Sequence, residues 1–168
     1  TRGSGRIFGH DLVADADLVR ERVGLLAHAP GLYPDLTAAE NLAFAQRMCG
    51  ESVDRACIDA ALERVDMLPH ADERVRFFSS GMTRRVALAR FLLRRHDLLL
   101  LDEPYASFDA EGIALLNTLL LEARARGAAV IIATHDPVRA RAACDRMVRI
   151  EEGQLVELAD AQVLEVAT

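Results

Sequence analysis

The chain has 168 residues, of which 51% are hydrophobic and 27% are charged, which suits one folded domain and excludes disordered or collagen-like proteins. Its net charge of -6 disfavours a nucleic-acid partner, because a surface that coats nucleic acid carries a basic patch. All 20 basic residues are arginine, so chemistry that depends on a lysine side chain cannot reside in these residues.

The first predicted elements are short strands. Residues 3 to 12 (GSGRIFGHDL) punctuate β-compatible pieces with glycine, which predicts a small antiparallel ribbon at a sheet edge. Residues 22 to 27 (RVGLLA) predict a buried strand that ends at the turn-forming residues Pro30, Gly31 and Pro34.

A helical stretch is predicted next. Thr37 with Glu40 three residues later is a capping box that opens a helix. Residues 52 to 68 have apolar side chains at helical spacing and end before Pro69. We therefore expect residues 37 to 77 to form an all-helical insert.

The next residues predict a helix over 83 to 95, a strand at 98 to 101, a helix over 110 to 126 and a strand at 128 to 134. Both strands carry apolar residues on both faces, which is typical of parallel strands covered by helices on either side. The order strand, helix, strand predicts a right-handed βαβ unit in a parallel sheet.

The last predicted elements are a helix over 137 to 144 and a hairpin over 147 to 157 with Gly153 in its turn. The longest apolar runs have about six residues, far short of the roughly 20 that a membrane-spanning helix requires. Any connection to a membrane must therefore run through a partner.

Polar residues follow the two predicted parallel strands, where ligands collect in such sheets. Asp102 and Glu103 follow the first strand, and Thr134 and His135 follow the second. Asp102 could hold Mg²⁺, Glu103 could polarise an attacking water, and His135 could bind a terminal phosphate. Alternatively, these residues are a solvated strand end and a surface or capping histidine.

A third signal is FSSGM at residues 78 to 82, which places serine and glycine at the start of a helix. Free backbone amides and the positive end of the helix dipole favour an anion at such a position. The alternative is an ordinary helix cap formed by Ser80 or Thr83. The order and spacing of the three signals favour nucleotide hydrolysis over their separate explanations.

Together these motifs resemble the ATP-binding subunit of an ABC transporter. FSSGM resembles the signature LSGGQ, LLLLDEP (98 to 104) the Walker B strand with its catalytic glutamate, ASFD (106 to 109) the D-loop, and His135 the switch histidine. The resemblance implies an α/β P-loop NTPase core with a parallel sheet, an edge antiparallel β ribbon and an inserted helical subdomain at about residues 37 to 82. Residues 1 to 168 would be a single ABC ATPase domain.

The resemblance also implies site roles, with ATP and Mg²⁺ as cofactors. Glu103 and His135 would be catalytic, and Asp102 would hold the metal. The residues implied to contact nucleotide or to join the sites of a head-to-tail dimer are Ser79, Ser80, Gly81, Met82, His28 and Asp109. Ser80 and Met82 depart from the signature, because Ser80 replaces a glycine and Met82 replaces a glutamine.

Residues 25 to 48 resemble a narrower group within this family. His28 stands where most members have the glutamine of the Q-loop, and with Pro30, Gly31 and LTAAENL it resembles the ATPase subunit of the haem exporter of cytochrome c maturation. The alternative is that His28 is a polar residue that ends a strand. The resemblance implies a second ATPase subunit and an integral membrane permease as partners, at the cytoplasmic face of the membrane, with no nucleic acid.

The phosphate-binding loop GxxxxGK[ST] does not occur in the 168 residues. In the family it precedes a stretch like GSGRIFGHDL, so we expect that Thr1 is not the natural start. We also expect these residues alone to bind ATP poorly. Two alternatives remain open: a soluble ABC protein that acts on DNA or ribosomes, and a module that keeps the fold without binding nucleotide.

Overall fold

The computed structural model describes residues 3 to 158, which form an α/β fold. The strands are β1 (Arg6–Ile7), β2 (His10–Asp11), β3 (Val23–Leu26), β4 (Leu98–Asp102), β5 (Ala129–Ala133), β6 (Val148–Glu151) and β7 (Gln154–Glu157). The helices are α1 (Ala16–Arg22), α2 (Ala38–Met48), α3 (Arg55–Glu63), α4 (Ser80–Leu92), α5 (Ala110–Ala125) and α6 (Pro137–Ala140). Short 3₁₀ turns lie at Leu68–His70, Val75–Phe77 and Arg141–Ala143.

A parallel sheet in the order β3-β4-β5 forms the centre of the described fold. The register aligns Leu25 of β3 with Leu100 of β4 and Ile131 of β5. The predicted βαβ unit is confirmed, with α5 connecting β4 to β5. Because the strands are parallel, their carboxyl ends lie at one edge of the sheet, where the predicted site residues follow.

The two faces of this sheet differ in how well they are covered. On one face, a Cβ built at Gly24 would lie 2.5 Å from His96 and 2.7 Å from Phe91, so only glycine fits there. On the other face, Leu25 is 61% exposed and Ile131 is 57% exposed. The prediction that the 128 to 134 strand is covered on both faces is therefore wrong for the described residues. Three residues of β5 are exposed, whereas β4 gains burial from its position between two strands.

The stretch from 37 to 77 contains α2, α3 and two 3₁₀ turns, as predicted. The capping box is confirmed: Thr37 accepts from the amide of Glu40, and the Glu40 carboxylate accepts from the amide of Thr37. A bridge between Thr37 and Arg74 brings the ends of the stretch together. The predicted helix over 52 to 68 is too long, because Asp54 caps α3 and the left-handed backbone of Asp66 (φ 58°) cannot continue a helix.

Other boundaries also differ from the prediction. Helix α1, which the sequence did not suggest, ends at Arg22, so the adjoining strand begins at Val23. Helix α4 begins at Ser80 rather than at residue 83 and ends at Leu92. Helix α6 stops at Ala140 and continues as a 3₁₀ turn, so the predicted helix over 137 to 144 is broken.

Both predicted antiparallel pairs are confirmed, β1 with β2 and β6 with β7. Each turns on two residues with positive φ, Phe8 and Gly9 in the first and Glu152 and Gly153 in the second. Positive φ at both central residues is what a tight hairpin turn requires, which explains the glycines. Within residues 3 to 158, no helix is both long enough and apolar enough to cross a membrane.

Candidate active site at the strand ends

The sheet brings the predicted strand-end residues together. Asp102 ends β4 opposite Ala133 of β5, and the amide of Glu103 donates to the carbonyl of Ala133 at 2.8 Å. Glu103 has φ 47°, in the left-handed region that side chains other than glycine seldom adopt. This backbone turn carries its side chain toward Thr134 and His135, which follow β5.

The Glu103 carboxylate accepts three hydrogen bonds from the end of β5. His135 Nδ1 lies 2.8 Å from Oε2, the His135 amide lies 3.0 Å from Oε1, and the Thr134 hydroxyl donates to Oε2 at 3.2 Å. Partial burial raises the pKa of Glu103, but the bonds from His135 and Thr134 outweigh burial, so its pKa is lowered overall. The carboxylate therefore stays ionised beside an imidazole that is 85% exposed.

Asp102 has the chemistry expected of a magnesium ligand but would not hold the ion alone. Asp102 is exposed at the end of β4. Residues 3 to 158 contain no group of three or more His, Cys, Asp and Glu that could hold a metal ion. Mg²⁺ commonly binds through one or two carboxylates plus waters and substrate phosphates, so the donor set fits Mg²⁺ delivered with a nucleotide.

The signature segment lies at the start of α4, where Ser79 and Ser80 are exposed. Ser79 is the N-cap: its hydroxyl accepts from the Met82 amide at 3.2 Å, and its carbonyl accepts from the Thr83 hydroxyl at 2.8 Å. The sequence suggested Ser80 or Thr83 as the cap of this helix, and the structure shows that the cap is Ser79. The cap leaves the helix start open to solvent, so both the capping and the anion-binding interpretation remain compatible with it.

Gly81 packs against the D-loop segment of the same chain. A Cβ built at Gly81 would lie 3.4 Å from the carbonyl oxygen of Ser107, which is close to ordinary contact. Packing within the described residues therefore does not demand glycine there. No hydrogen bond joins residues 79 to 82 to Glu103 or His135 in the part of the chain that the structure describes, so the signature and the strand-end residues are separate parts of the site.

Asp109 of the D-loop is the N-cap of α5, and its carboxylate accepts from the Gly112 amide at 2.8 Å. Arg85 of α4 lies 3.9 Å from the same carboxylate. Glycine is required at 112, because a Cβ there would lie 2.5 Å from the ring of Phe108. Asp109 therefore has a structural role in starting α5, while its side chain stays 72% exposed.

His28 is exposed in the loop that follows β3. Because β3 lies beside β4, this loop leaves the same edge of the sheet as Asp102 and Glu103. The His28 carbonyl accepts a hydrogen bond from Arg84 at 2.8 Å.

Arg84 of α4 is the main residue that the sequence interpretation missed. It is 3% exposed, and its guanidinium donates to backbone carbonyls after β3 and at the end of β4. Burial lowers the pKa of Arg84, and the nearby negative charge of Asp102 opposes this. A signal was present, because Arg84 lies four residues before the buried Leu88, on the same side of the helix.

Comparison with known proteins decides the family. The model of the family described as ABC transporter matches residues 1 to 106, more than half of the chain. The chain belongs to the ABC transporter family. Its α/β fold is accordingly that of a P-loop NTPase, as expected from the sequence.

Several relatives within this family are ATP-binding export proteins. The chain is 43% identical over 122 residues to cytochrome c biogenesis ATP-binding export protein CcmA 2 of Cupriavidus metallidurans, covering 73% of the chain and 58% of that relative. It is 41% identical over 135 residues to CcmA of Aromatoleum aromaticum, covering 79% and 63%. It is 36% identical over 156 residues to Nod factor export ATP-binding protein I of Burkholderia orbicola, covering 92% and 51%. The chain thus spans about half to six tenths of the length of these curated relatives.

Proposed function

We propose that the protein is the ATP-binding and ATP-hydrolysing subunit of an ABC exporter. The observation that carries this proposal is the contact between Glu103 and His135, which joins the ends of β4 and β5 at 2.8 Å. An ionised carboxylate and an exposed imidazole at the carboxyl edge of a parallel sheet suit hydrolysis of a bound phosphoryl group. The three relatives described above are all export proteins, which supports an exporter.

In the proposed mechanism, Glu103 accepts a proton from a water as the water oxygen attacks the γ-phosphorus of ATP. The bond from the γ-phosphorus to the bridging oxygen breaks, and ADP and phosphate leave. His135 holds the γ-phosphate by a hydrogen bond, while its Nδ1 keeps the Glu103 carboxylate in place. Asp102 would hold Mg²⁺, which supplies positive charge to the phosphates.

The remaining site residues are proposed to act between two subunits. Ser79, Ser80, Gly81 and Met82 would present the start of α4 to the γ-phosphate of an ATP bound by a second ATPase subunit in a head-to-tail dimer. The exposure of Ser79 and Ser80 supports this role, and so does the absence of a packing requirement for glycine at position 81 within residues 3 to 158. Asp109 would help to join the two sites through the loop that starts α5.

The partner at the membrane is proposed to be an integral membrane permease, with the ATPase bound at its cytoplasmic face. His28, in the Q-loop position, would lie between the nucleotide and this partner. We propose haem or a related molecule as the exported substrate, because the names of two of the relatives assign them to cytochrome c biogenesis. Residues 1 to 168 would belong to one ABC ATPase domain, with a helical subdomain at about residues 37 to 82.

The proposal is tested with the full-length protein in complex with its permease, by comparing Glu103→Gln with the unchanged protein. We expect ATP turnover to fall at least a hundredfold, roughly the loss that follows removal of a general base. ATP binding should persist, because glutamine keeps the size of the side chain and removes only the base. Turnover close to that of the unchanged protein would contradict the catalytic assignment.

A second candidate is a module that keeps this fold but binds no nucleotide by itself. The observation that favours it for the 168 residues is their complete lack of lysine, which the phosphate-binding loop requires. For this chain alone, we expect no ATP binding at micromolar concentrations in a titration calorimetry experiment. Micromolar affinity would contradict this expectation and would require another phosphate-binding segment within the 168 residues.

A further inference from the structure

Arg84 joins the ends of two strands of the sheet through backbone carbonyls. Its Nη1 donates to the carbonyls of Ala27 and His28, both at 2.8 Å, just after β3. Its Nη2 donates to the carbonyls of Asp102 at 3.3 Å and Glu103 at 2.7 Å, at the end of β4. One side chain of α4 therefore holds the loop that carries His28 and the backbone of the proposed catalytic base.

The environment of Arg84 is unusual for a residue that only stabilises the fold. The side chain is 3% exposed, its Nε has no hydrogen-bond partner, and all its acceptors are neutral carbonyls. A buried charge is costly, and an apolar side chain of similar size is often no less stable in such a position. The planar fork of a guanidinium, which can reach several acceptors at fixed angles, is what this position uses.

The backbone of Glu103 is the part of this arrangement that most needs support. Its positive φ of 47° is unfavourable for a residue with a side chain and persists only where neighbouring groups hold it. The Glu103 amide is held by Ala133, and its carbonyl is held by Arg84 at 2.7 Å and by the Ala106 amide at 3.2 Å. Release of the bond to Arg84 would free the turn that aims the carboxylate at His135.

A second arginine of α4 provides a comparison. Arg90 donates to the carbonyls of Gly31 at 2.5 Å and Pro30 at 2.8 Å, so it holds the later part of the same loop. Within residues 3 to 158, no hydrogen bond of Arg90 reaches β4. Arg84 and Arg90 thus share the loop after β3, and only Arg84 connects it to Glu103.

We propose that Arg84 is a positioning residue for ATP hydrolysis, which fixes the backbone of Glu103 and ties it to the His28 loop. The proposal rests on the proposed function, because it assigns Glu103 as the base. Arg84 donates to the chain itself and reaches the reaction only through Glu103. Its loss should therefore slow the chemical step more than it weakens nucleotide binding.

The test measures kcat and KM for ATP in the full-length protein bound to its permease. Arg84→Met, which keeps the length of the side chain without the donors, is expected to lower kcat roughly tenfold to a hundredfold, the loss typical of a misplaced catalytic group. The KM for ATP should change less than about threefold, because Arg84 donates to the chain itself and not to the nucleotide. Arg84→Lys should recover part of kcat, because an ammonium can donate to some of the carbonyls. If the lysine variant is no faster than the methionine variant, hydrogen bonding is not what Arg84 supplies and the proposal is overturned.

Two control variants separate positioning from loss of stability. Val86→Ala removes a fully buried apolar group from the same helix and leaves the hydrogen bonds of Arg84 in place. Arg90→Met removes two carbonyl bonds but none to β4. The proposal requires a larger fall in kcat for Arg84→Met than for either control. An equal fall with Val86→Ala or with Arg90→Met would overturn it.

Hydrogen exchange of backbone amides tests the positioning independently of turnover. In Arg84→Met, we expect faster exchange of the Glu103 amide, bonded to Ala133 at 2.8 Å, and of the His135 amide, bonded to Glu103 at 3.0 Å. Unchanged exchange at both amides would overturn the positioning role. A third outcome is faster exchange at both amides in Arg84→Met, together with no ATP turnover in the protein without substitutions. This result would support the positioning role and contradict the proposed function.

Discussion

The helical stretch at 37 to 77 and the three-stranded sheet differ in what determines their structure. In the helical stretch, residues of the stretch itself define where the helices begin. A capping box begins α2, Asp54 caps α3, and a bridge from Thr37 to Arg74 joins the ends of the stretch. The sheet has one face packed by α4 and α5 and one face on which Leu25 and Ile131 are more than half exposed. Local capping thus completes the first region, whereas burial in the second depends on which parts of the chain cover it.

The largest expected effect comes from Ile58→Ala, which is compared below with the same substitution at Ile131. Ile58 of α3 is 1% exposed, so Ile58→Ala should lower the free energy of unfolding by about 3 kcal/mol through lost burial and a residual cavity. Urea unfolding of the chain measures this loss. A loss below about 1 kcal/mol would mean that the helical stretch packs less tightly than its burial indicates, and the comparison between the regions would fail.

The next effect concerns Tyr105, which follows β4, is 2% exposed and donates to Asn117 of α5 at 2.9 Å. Burial raises the pKa of Tyr105 from 10.0 to about 12, so the folded protein holds this proton more tightly than the unfolded chain. The corresponding stability is present below pH 10 and is lost as the pH rises toward 12. The loss is about 3 kcal/mol for a shift of this size.

Tyr105→Phe removes this titration, so the variant should lose less stability than the unchanged protein between pH 10 and pH 12. Urea unfolding at several pH values, with the tyrosine absorbance followed in parallel, measures the difference. Parallel stability curves for the two proteins would show that burial at the end of β4 does not hold the proton. This experiment sharpens the comparison of the two regions, because it tests burial beside the end of β4.

A smaller effect is expected at the capping box. Thr37→Ala removes the hydroxyl that accepts from the Glu40 amide at 3.1 Å and should lower the free energy of unfolding by about 1 kcal/mol. Thr118 of α5 is a matched control, because its hydroxyl only bonds back to the Ala114 carbonyl within the helix. Thr118→Ala should cause no loss, since alanine favours a helix interior. Equal losses in both variants would indicate that the cap does not define this region.

The smallest effect is expected at the open face of the sheet. Ile131→Ala, the same substitution as at Ile58, should lower the free energy of unfolding by less than about 1 kcal/mol in the 168-residue chain, because Ile131 is 57% exposed. Repeating both substitutions in the full-length protein sharpens the comparison. If the losses at positions 58 and 131 become equal there, another part of the protein covers this face.

Much of the fold and of the strand-end site could be predicted because the signals are local. Gly9 and Gly153 supply the positive φ of the hairpin turns, and uninterrupted apolar residues identify β4. The order of strands and helices predicted that Glu103 and His135 would lie at the same edge of the sheet, since parallel strands end at one edge. The contact at 2.8 Å agrees with that expectation.

The features that were missed depend on contacts distant in sequence. Arg84 is an ordinary arginine in a helical sequence, and its burial follows from carbonyls that lie 18 to 57 residues away. The exposed face of β5 could not be recognised either, because an apolar residue has the same sequence signature whether a helix covers it or not. Ser79, rather than Ser80 or Thr83, caps α4 because the helix begins three residues earlier than the apolar pattern suggested.

The sequence by itself predicted the family, most of the elements in their order and the residue types at the strand ends, because motif spacing, side-chain type and short-range backbone preference indicate those. Only the tertiary structure decided that Glu103 reaches His135 from a left-handed backbone and that Arg84 joins the His28 loop to the end of β4. It also decided which face of the sheet is covered. The physical reason is that hydrogen bonding to buried carbonyls and the burial of apolar surface depend on which distant segments meet, and no local pattern encodes those meetings.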